Sequence, residues 1–435
     1  MRRIAHAGPV SPTMRAMTET SHTASASART APTEAAHDAW FDRLAARAQA
    51  GPSELSAVLA MASAGGDLVD FSGGFPDPGL YDTQLLGETA AKAIESRPEV
   101  ALQYAPNYGL ASLREVLRAE VSRTQAVVPG PDDLIVTSGG VDALTLICKA
   151  MLNPGDAVLV EAPSYLGAFS VFRSHDGVCV SMENDAHGLI PASIETAYAQ
   201  ARAQGAEPKV VYVIPDFQNP SGLRLDRERR REVVEISRRL GLLVLEDVAY
   251  RDLAFDGSYV DSLYELGPDV TVQVGTFSKT FTPGTRMGWA AGPATVIDAM
   301  AQAKTNTDQC AGALGQTILE AHITEGHYAA SLPVLRSAYA ARCQGLMDAL
   351  DGALSSSAAW TVPAGGFFTW VDVPGVDTKA LAALAIEEGV AFVPGAPFFA
   401  DGRATSQLRM SFSRTPVSRM AEGAARLARA IERVR

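Results

Sequence analysis

Along most of the chain, apolar runs of strand length alternate with longer stretches of helical periodicity. "DLIVTSGG" leads into "VDALTLICKAML", "AVLVEAP" into "SYLGAFSVFRSH", and "VVYVIPDFQNPSG" into "RLDRERRREVVEISRRLG". "LLVLEDVAY" and "TVQVGTFSK" follow. Strand-length apolar runs that each feed a helix predict a mostly parallel sheet covered on both faces. Earlier, "DAWFDRLAARAQ" and "SELSAVLAMAS" predict short amphipathic helices, and "DLVDFSGGFPDPGLY" a strand entering a Gly/Pro loop. The C-terminal segment, with "GGFFTWVDVPG" and "QLRMSFSRT", predicts a smaller α+β domain. The expected division is a large domain over 81–325 and a small one over 326–435, with 36–80 packing against the small domain. Residues 1–35 are rich in Ala, Ser, Thr and Pro and lack the apolar region of a secretory signal. They predict a disordered tail, unable to bury enough surface to offset its ordering entropy.

Composition narrows the class. A chain of 435 residues, 47% hydrophobic and 20% charged, suits a soluble enzyme with two domains and a large core. The net charge of −12 argues against general affinity for nucleic acid or an anionic membrane, yet leaves room for a local anion site built from arginines. No apolar run is long enough to span a bilayer. Cys148, Cys179, Cys310 and Cys343 are scattered without CxxC spacing, which fits a reduced, cytoplasmic setting. His322 and His327 are too far apart to share one helix face, so no metal site is expected. Neither GxGxxG nor a Walker A loop is present.

In open α/β sheets, ligands gather at the carboxyl ends of strands. Polar clusters fall at those ends here. Ser138, Gly139 and Gly140 follow "LIVT" and would open a helix, so their N–H groups could hold a phosphate. Asn219 lies in an Asn-Pro-Ser-Gly turn, Asp247 and Tyr250 end "LLVLEDVAY", and Thr276, Ser278 and Lys279 end "TVQVGTF", with Arg286 beyond. Each cluster alone has an ordinary reading as a cap, a turn or a surface group. Together and in this order they make the set that pyridoxal 5′-phosphate (PLP) requires. Its carbonyl needs a lysine that partial burial beside other cations makes nucleophilic near neutral pH. Its pyridine nitrogen needs a carboxylate to stay protonated, and its phosphate needs N–H donors, hydroxyls and an arginine fork.

The chain resembles fold-type I PLP enzymes of the class I/II aminotransferase group, in the branch of the 2-aminoadipate and kynurenine aminotransferases. "IPDFQNPSG", "LEDVAYRDLAF", "GTFSKTFTPGTRMGW", "PAGGFFTWVDVP" and "LRMSFS" carry the resemblance, in order. It implies an α/β fold of the three-layer, aspartate-aminotransferase type with a smaller α+β domain. It implies that Lys279 is the Schiff-base lysine, that Asp247 partners the pyridine nitrogen, and that Asn219 and Tyr250 hold the ring hydroxyl. Tyr165 in "EAPSYLG" would stack on the ring, and Thr276, Ser278, Arg286 and the Ser138–Gly140 turn would bind the phosphate. Arg409 would grip the substrate carboxylate, with Gly74 and Asn219 beside it. Tyr104 would reach the phosphate of a neighbouring subunit in a homodimer with shared sites. The implied substrates are an α-amino acid and a 2-oxo acid.

Two departures stand out. Gly140 and Val141 replace the usual Ser-Gln of the phosphate turn. "SELSAVLAM" offers Ser56 or a close neighbour where aminoadipate enzymes of the branch can place an arginine for a distal carboxylate. Two other readings stay open: a PLP enzyme of cyclisation, replacement, elimination or oxidation, and an aminotransferase-like effector domain of a transcription regulator. The acidic charge and low-complexity upstream segment weigh against the second.

Overall fold

The computed structural model describes residues 40–45, 48 and 67–435. The expected tail and most of the first two helices lie outside these residues, as does Ser56. In chain order the strands are β1 (Val69–Asp70), β2 (Leu134–Thr137), β3 (Ala157–Ala162), β4 (Val178–Asp185), β5 (Gly188–Leu189), β6 (Pro208–Val213), β7 (Leu243–Asp247), β8 (Thr271–Thr276) and β9 (Gly288–Ala291). They continue as β10 (Ala359–Trp360), β11 (Phe368–Asp372), β12 (Val390–Ala391), β13 (Val393–Pro394) and β14 (Gln407–Ser411).

The main sheet has the order β2-β9-β8-β7-β6-β3-β4-β5. The central pairs, from β4 through β3, β6 and β7 to β8, are parallel. Two strands reverse: β9 runs antiparallel between β2 and β8, and β5 is antiparallel to β4. The inner strands are apolar on both faces because helices cover both, as Leu144, Ile147 and Met300 do on one side and Ile194, Val233 and Val234 on the other. The helix over Arg227–Leu240 shows how the chain closes such a cover. Asp226 accepts the N–H of Arg229 at 2.8 Å at its start, and Gly241 in the left-handed region ends it.

A second, antiparallel sheet has the order β10-β11-β14-β13, and β1 pairs in parallel with β12. Their core is closed by the helices His327–Leu354 and Val417–Val434, whose buried faces include Leu346, Leu350, Met420 and Leu427. The expected boundary at 325/326 falls at the turn between the helices Ala313–Thr324 and His327–Leu354. His322 and His327 come together, ring centres 5.5 Å apart, because the helix breaks between them at Gly326. Among the described residues, no group of His, Cys, Asp or Glu is placed to hold a metal ion, and no helix is long and apolar enough to cross a membrane.

The strand order decides what meets what. β6, β7 and β8 are neighbours, so the turn carrying Asn219, the carboxylate of Asp247 and the segment Thr276–Lys279 leave the sheet side by side. Across β9, Gly288 aligns with both Thr137 and Thr276, which brings the turn after β2 to the same edge.

Candidate active site

One cleft of about 280 Å³ opens at the carboxyl ends of these strands. Its lining includes Gly74, Gly140, Tyr165, Asn219, Asp247, Tyr250, Thr276, Ser278, Lys279, Arg286 and Arg409. The amine of Lys279 donates to the carbonyl of Gly74 at 3.0 Å and lies about 6 Å from the ring centres of Tyr250 and Phe367. Burial, and then the charge of Arg409, push its pKa down to about 8, against the opposing pull of Asp247. A lysine so placed keeps a sizeable neutral fraction near physiological pH.

Asp247, the last residue of β7, is held from two sides. Tyr212 donates its hydroxyl to Oδ2 at 2.8 Å, and the N–H of Ala249 reaches Oδ1 at 3.1 Å. Burial raises the carboxyl pKa, while these two hydrogen bonds and the charge of Lys279 favour the carboxylate. Tyr212 was not among the residues singled out in the sequence. Its signal was there, as a hydroxyl inside the otherwise apolar run "VVYVIP".

At the far end of the cleft, the side chains of Thr276, Ser278 and Arg286 form one cluster. Thr276 Oγ1 and Ser278 Oγ are 3.1 Å apart, and Arg286 Nη1 is 3.4 Å from Ser278 Oγ. Arg286 adopts a left-handed backbone at φ 54°, and its Nη2 donates to the carbonyl of Ser138 at 3.2 Å. Gly139 makes room for that guanidinium: a Cβ there would lie 2.5 Å from Nη2. Gly140 begins the helix Gly140–Met151 and faces the cleft, with Val141 beside it.

Ser138 takes a different part from the one expected. Its N–H is accepted by Asp142 at 2.8 Å and its hydroxyl donates to Asp308 at 2.6 Å, so neither donor is free for a cleft ligand. The two acceptors belong to a salt-bridged pair of carboxylates around Lys304, which sequence reading also missed. Tyr104 stands outside the cleft, 79% exposed.

Arg409 projects from β14 and is buried. Nη1 donates to Asn219 Oδ1 at 2.9 Å and Nη2 to the carbonyl of Ser72 at 2.7 Å. Phe368 and Phe398 pack on the guanidinium, 4.3 and 5.0 Å from its carbon. Burial lowers its pKa to about 10, and its Nε has no hydrogen-bond partner among the described residues. The arrangement offers an amine of lowered pKa, a held carboxylate, a cluster of two hydroxyls with the guanidinium of Arg286, and the buried guanidinium of Arg409 within one cleft.

Residues 77–427 match the sequence profile of aminotransferase class I and II. The chain belongs to the class I and II aminotransferases. It is 32% identical to the aromatic-amino-acid aminotransferase 1 of Thermococcus litoralis, over 84% of this chain and 88% of that one. It is 33% identical to the 2-aminoadipate transaminase of Thermus thermophilus, over 84% and 90%. Among solved structures, the kynurenine aminotransferase of Pyrococcus horikoshii in complex with PMP superposes with a TM-score of 0.86 at 31% identity, covering 90% of this chain and 98% of that one. These relatives place the chain in the aminoadipate/kynurenine branch, with amino-group transfer as its reaction. They do not favour a non-transaminating chemistry.

Proposed function

We propose that this aminotransferase works with PLP, carried by Lys279, on α-amino acids with an uncharged, bulky side chain. The convergence of Lys279, Asp247, Asn219, Arg286 and Arg409 in one cleft carries the reading. The residues fit the cofactor. Gly139 leaves the space that Arg286 occupies beside the anion cluster, and Arg409 keeps a buried, unpartnered N–H for a carboxylate.

PLP, when bound, supplies an electron sink for negative charge at the substrate Cα. Asp247 would hold the proton on the pyridine nitrogen, braced by Tyr212 and Ala249. Tyr250 and Asn219 would hold the ring hydroxyl, Tyr165 would stack on the ring, and Arg286, Ser278, Thr276 and the N–H of Gly140 would hold the phosphate. Arg409, with Asn219 and the Gly74 loop, would fix the substrate carboxylate and so the torsion that exposes the Cα–H bond. The amine of Lys279, freed when the amino group of the substrate takes its place, would accept the proton from the substrate Cα and deliver it to C4′ of the cofactor.

The substrate class rests on the rest of the lining. Phe75, Val141, Leu144, Ile214 and Phe368 are apolar or aromatic. The cations among the described lining residues are Lys279, Arg286 and Arg409, all with parts assigned above, leaving none for a distal carboxylate. The division at residue 326, a homodimer in which Tyr104 serves the neighbouring site, and a cytoplasmic setting are proposed alongside. Borohydride reduction of the PLP-loaded protein, followed by peptide mass spectrometry, tests the core of the reading. The expected result is a cofactor adduct on the peptide bearing Lys279, lost in Lys279→Ala. An adduct elsewhere in the parent overturns the assignment.

A further inference from the structure

Lys304 lies in the helix Ala294–Thr305 with none of its surface exposed. An ammonium buried this way requires compensation, and it has two partners. Its Nζ is 2.8 Å from Asp142 Oδ2 and 2.8 Å from both carboxylate oxygens of Asp308. Those two carboxylates are the ones that hold Ser138, through its N–H and its hydroxyl. The carbonyl of Ser138 in turn accepts from Arg286, whose other terminal nitrogen reaches Ser278. One network therefore runs from a buried lysine, through two carboxylates and one serine, to the guanidinium of the anion cluster.

This network has a sign. Two carboxylates and one ammonium leave a formal charge of −1 directly behind the turn that opens toward the cleft at Gly140. Asp142 also occupies the first turn of the helix Gly140–Met151, where it competes for the favourable field of the helix N-terminus. We infer that Lys304, Asp142 and Asp308 are positioning residues that set the affinity of the site for the phosphate of its cofactor, Lys304 favouring it and Asp142 opposing it. The inference rests on the PLP reading above and adds to it residues that do not line the cleft.

A purely structural brace and this electrostatic one make different predictions. Lys304→Met takes the cluster from −1 to −2, and should weaken PLP binding to the apo-protein by about tenfold or more, the order expected of one added charge close behind an anion site. Asp142→Asn keeps an oxygen to accept the Ser138 N–H but takes the cluster to zero, and should tighten PLP severalfold. The double variant returns to −1 and should bind PLP close to the parent. Pyridoxal has the same ring without phosphate, so its binding should hardly change in any of them. Fluorescence titration of each apo-protein with both aldehydes decides the matter. If both single variants weaken PLP, or if PLP and pyridoxal move together, the network is only structural and the inference fails while the cofactor reading stands. Should Lys304→Met not fold, Asp142→Asn alone settles the sign. A parent that binds neither aldehyde overturns the cofactor reading and this inference with it.

Discussion

The amine of Lys279 is tuned by its neighbours, and that tuning can be measured. Its pKa is pushed down to about 8, by burial first and then by Arg409, with Asp247 pulling the other way. The neutral, reactive form therefore dominates above about pH 8 and falls away as pH drops below it. Capture of PLP by the apo-protein, trapped with borohydride at timed intervals, should rise with pH and level off above that midpoint. Arg409→Met removes a cation and should move the midpoint up. Asp247→Asn removes an anion and should move it down. If Asp247 holds the pyridine proton as proposed, the same Asp247→Asn change should cut turnover by several orders of magnitude with the fold intact, because the electron sink then loses that proton. Turnover within tenfold of the parent would make Asp247 a strand-end cap only. Such groups were legible in the sequence because chemistry restricts residue type: a lysine between hydroxyls and an acid ending an apolar run are unusual. Lys304 was harder to see. It falls on the buried stripe of Ile297, Met300 and Ala301, and of its two carboxylate partners Asp308 lies four residues on while the other is distant in sequence. Asp142 is 162 residues away.

At the scale of elements, the turn joining β2 to its helix shows how backbone and side chain share one task. Gly139 and Gly140 are adjacent but not equivalent. Gly139 has φ +94°, and a Cβ there would lie 2.5 Å from Arg286 Nη2. Gly140 has ordinary backbone angles, and its Cβ would make a normal 3.5 Å contact with Thr276. Gly139→Ala should therefore displace the guanidinium and lower PLP affinity by about tenfold or more, the loss of a charge-assisted contact. Gly140→Ser should fold normally and add a hydroxyl facing the cleft, tightening PLP severalfold. Equilibrium dialysis against PLP, with thermal melts of the apo-proteins, checks both. A Gly140→Ser protein that binds PLP no better would mean this turn contributes only its N–H groups. The parallel strands at the centre of the main sheet were legible because burial on both faces leaves unbroken apolar runs. β4 and β9 were not: β4 mixes exposed and buried positions, and β9 is a four-residue run whose reversed direction is set by pairing with β2 and β8. Local pattern does not encode pairing direction.

At the scale of the whole molecule, the surface near the cleft bears on assembly. Tyr104 is 79% exposed and Leu102 beside it 66%, an apolar pair on the surface of a single chain. The sequence resemblance gives Tyr104 a part in a neighbouring subunit, and its position outside its own cleft is compatible with no part in that one. A homodimer with shared sites makes a prediction that a monomer cannot imitate. Lys279→Ala destroys the site to which its own lysine belongs, whereas Tyr104→Ala weakens the site of its partner. In a dimer carrying one chain of each kind, both defects fall on one site and the other is intact. Random reassembly of equal amounts makes about half the dimers mixed, so about a quarter of all sites should recover full function. Differently tagged chains, reassembled and assayed at limiting PLP, should then exceed the summed activity of the two separate variants, and size-exclusion chromatography with light scattering should give twice the mass of one chain. Mixed dimers confirmed by both tags but showing no gain would place Tyr104 outside the neighbouring site. A monomeric parent with full activity would remove the shared site altogether.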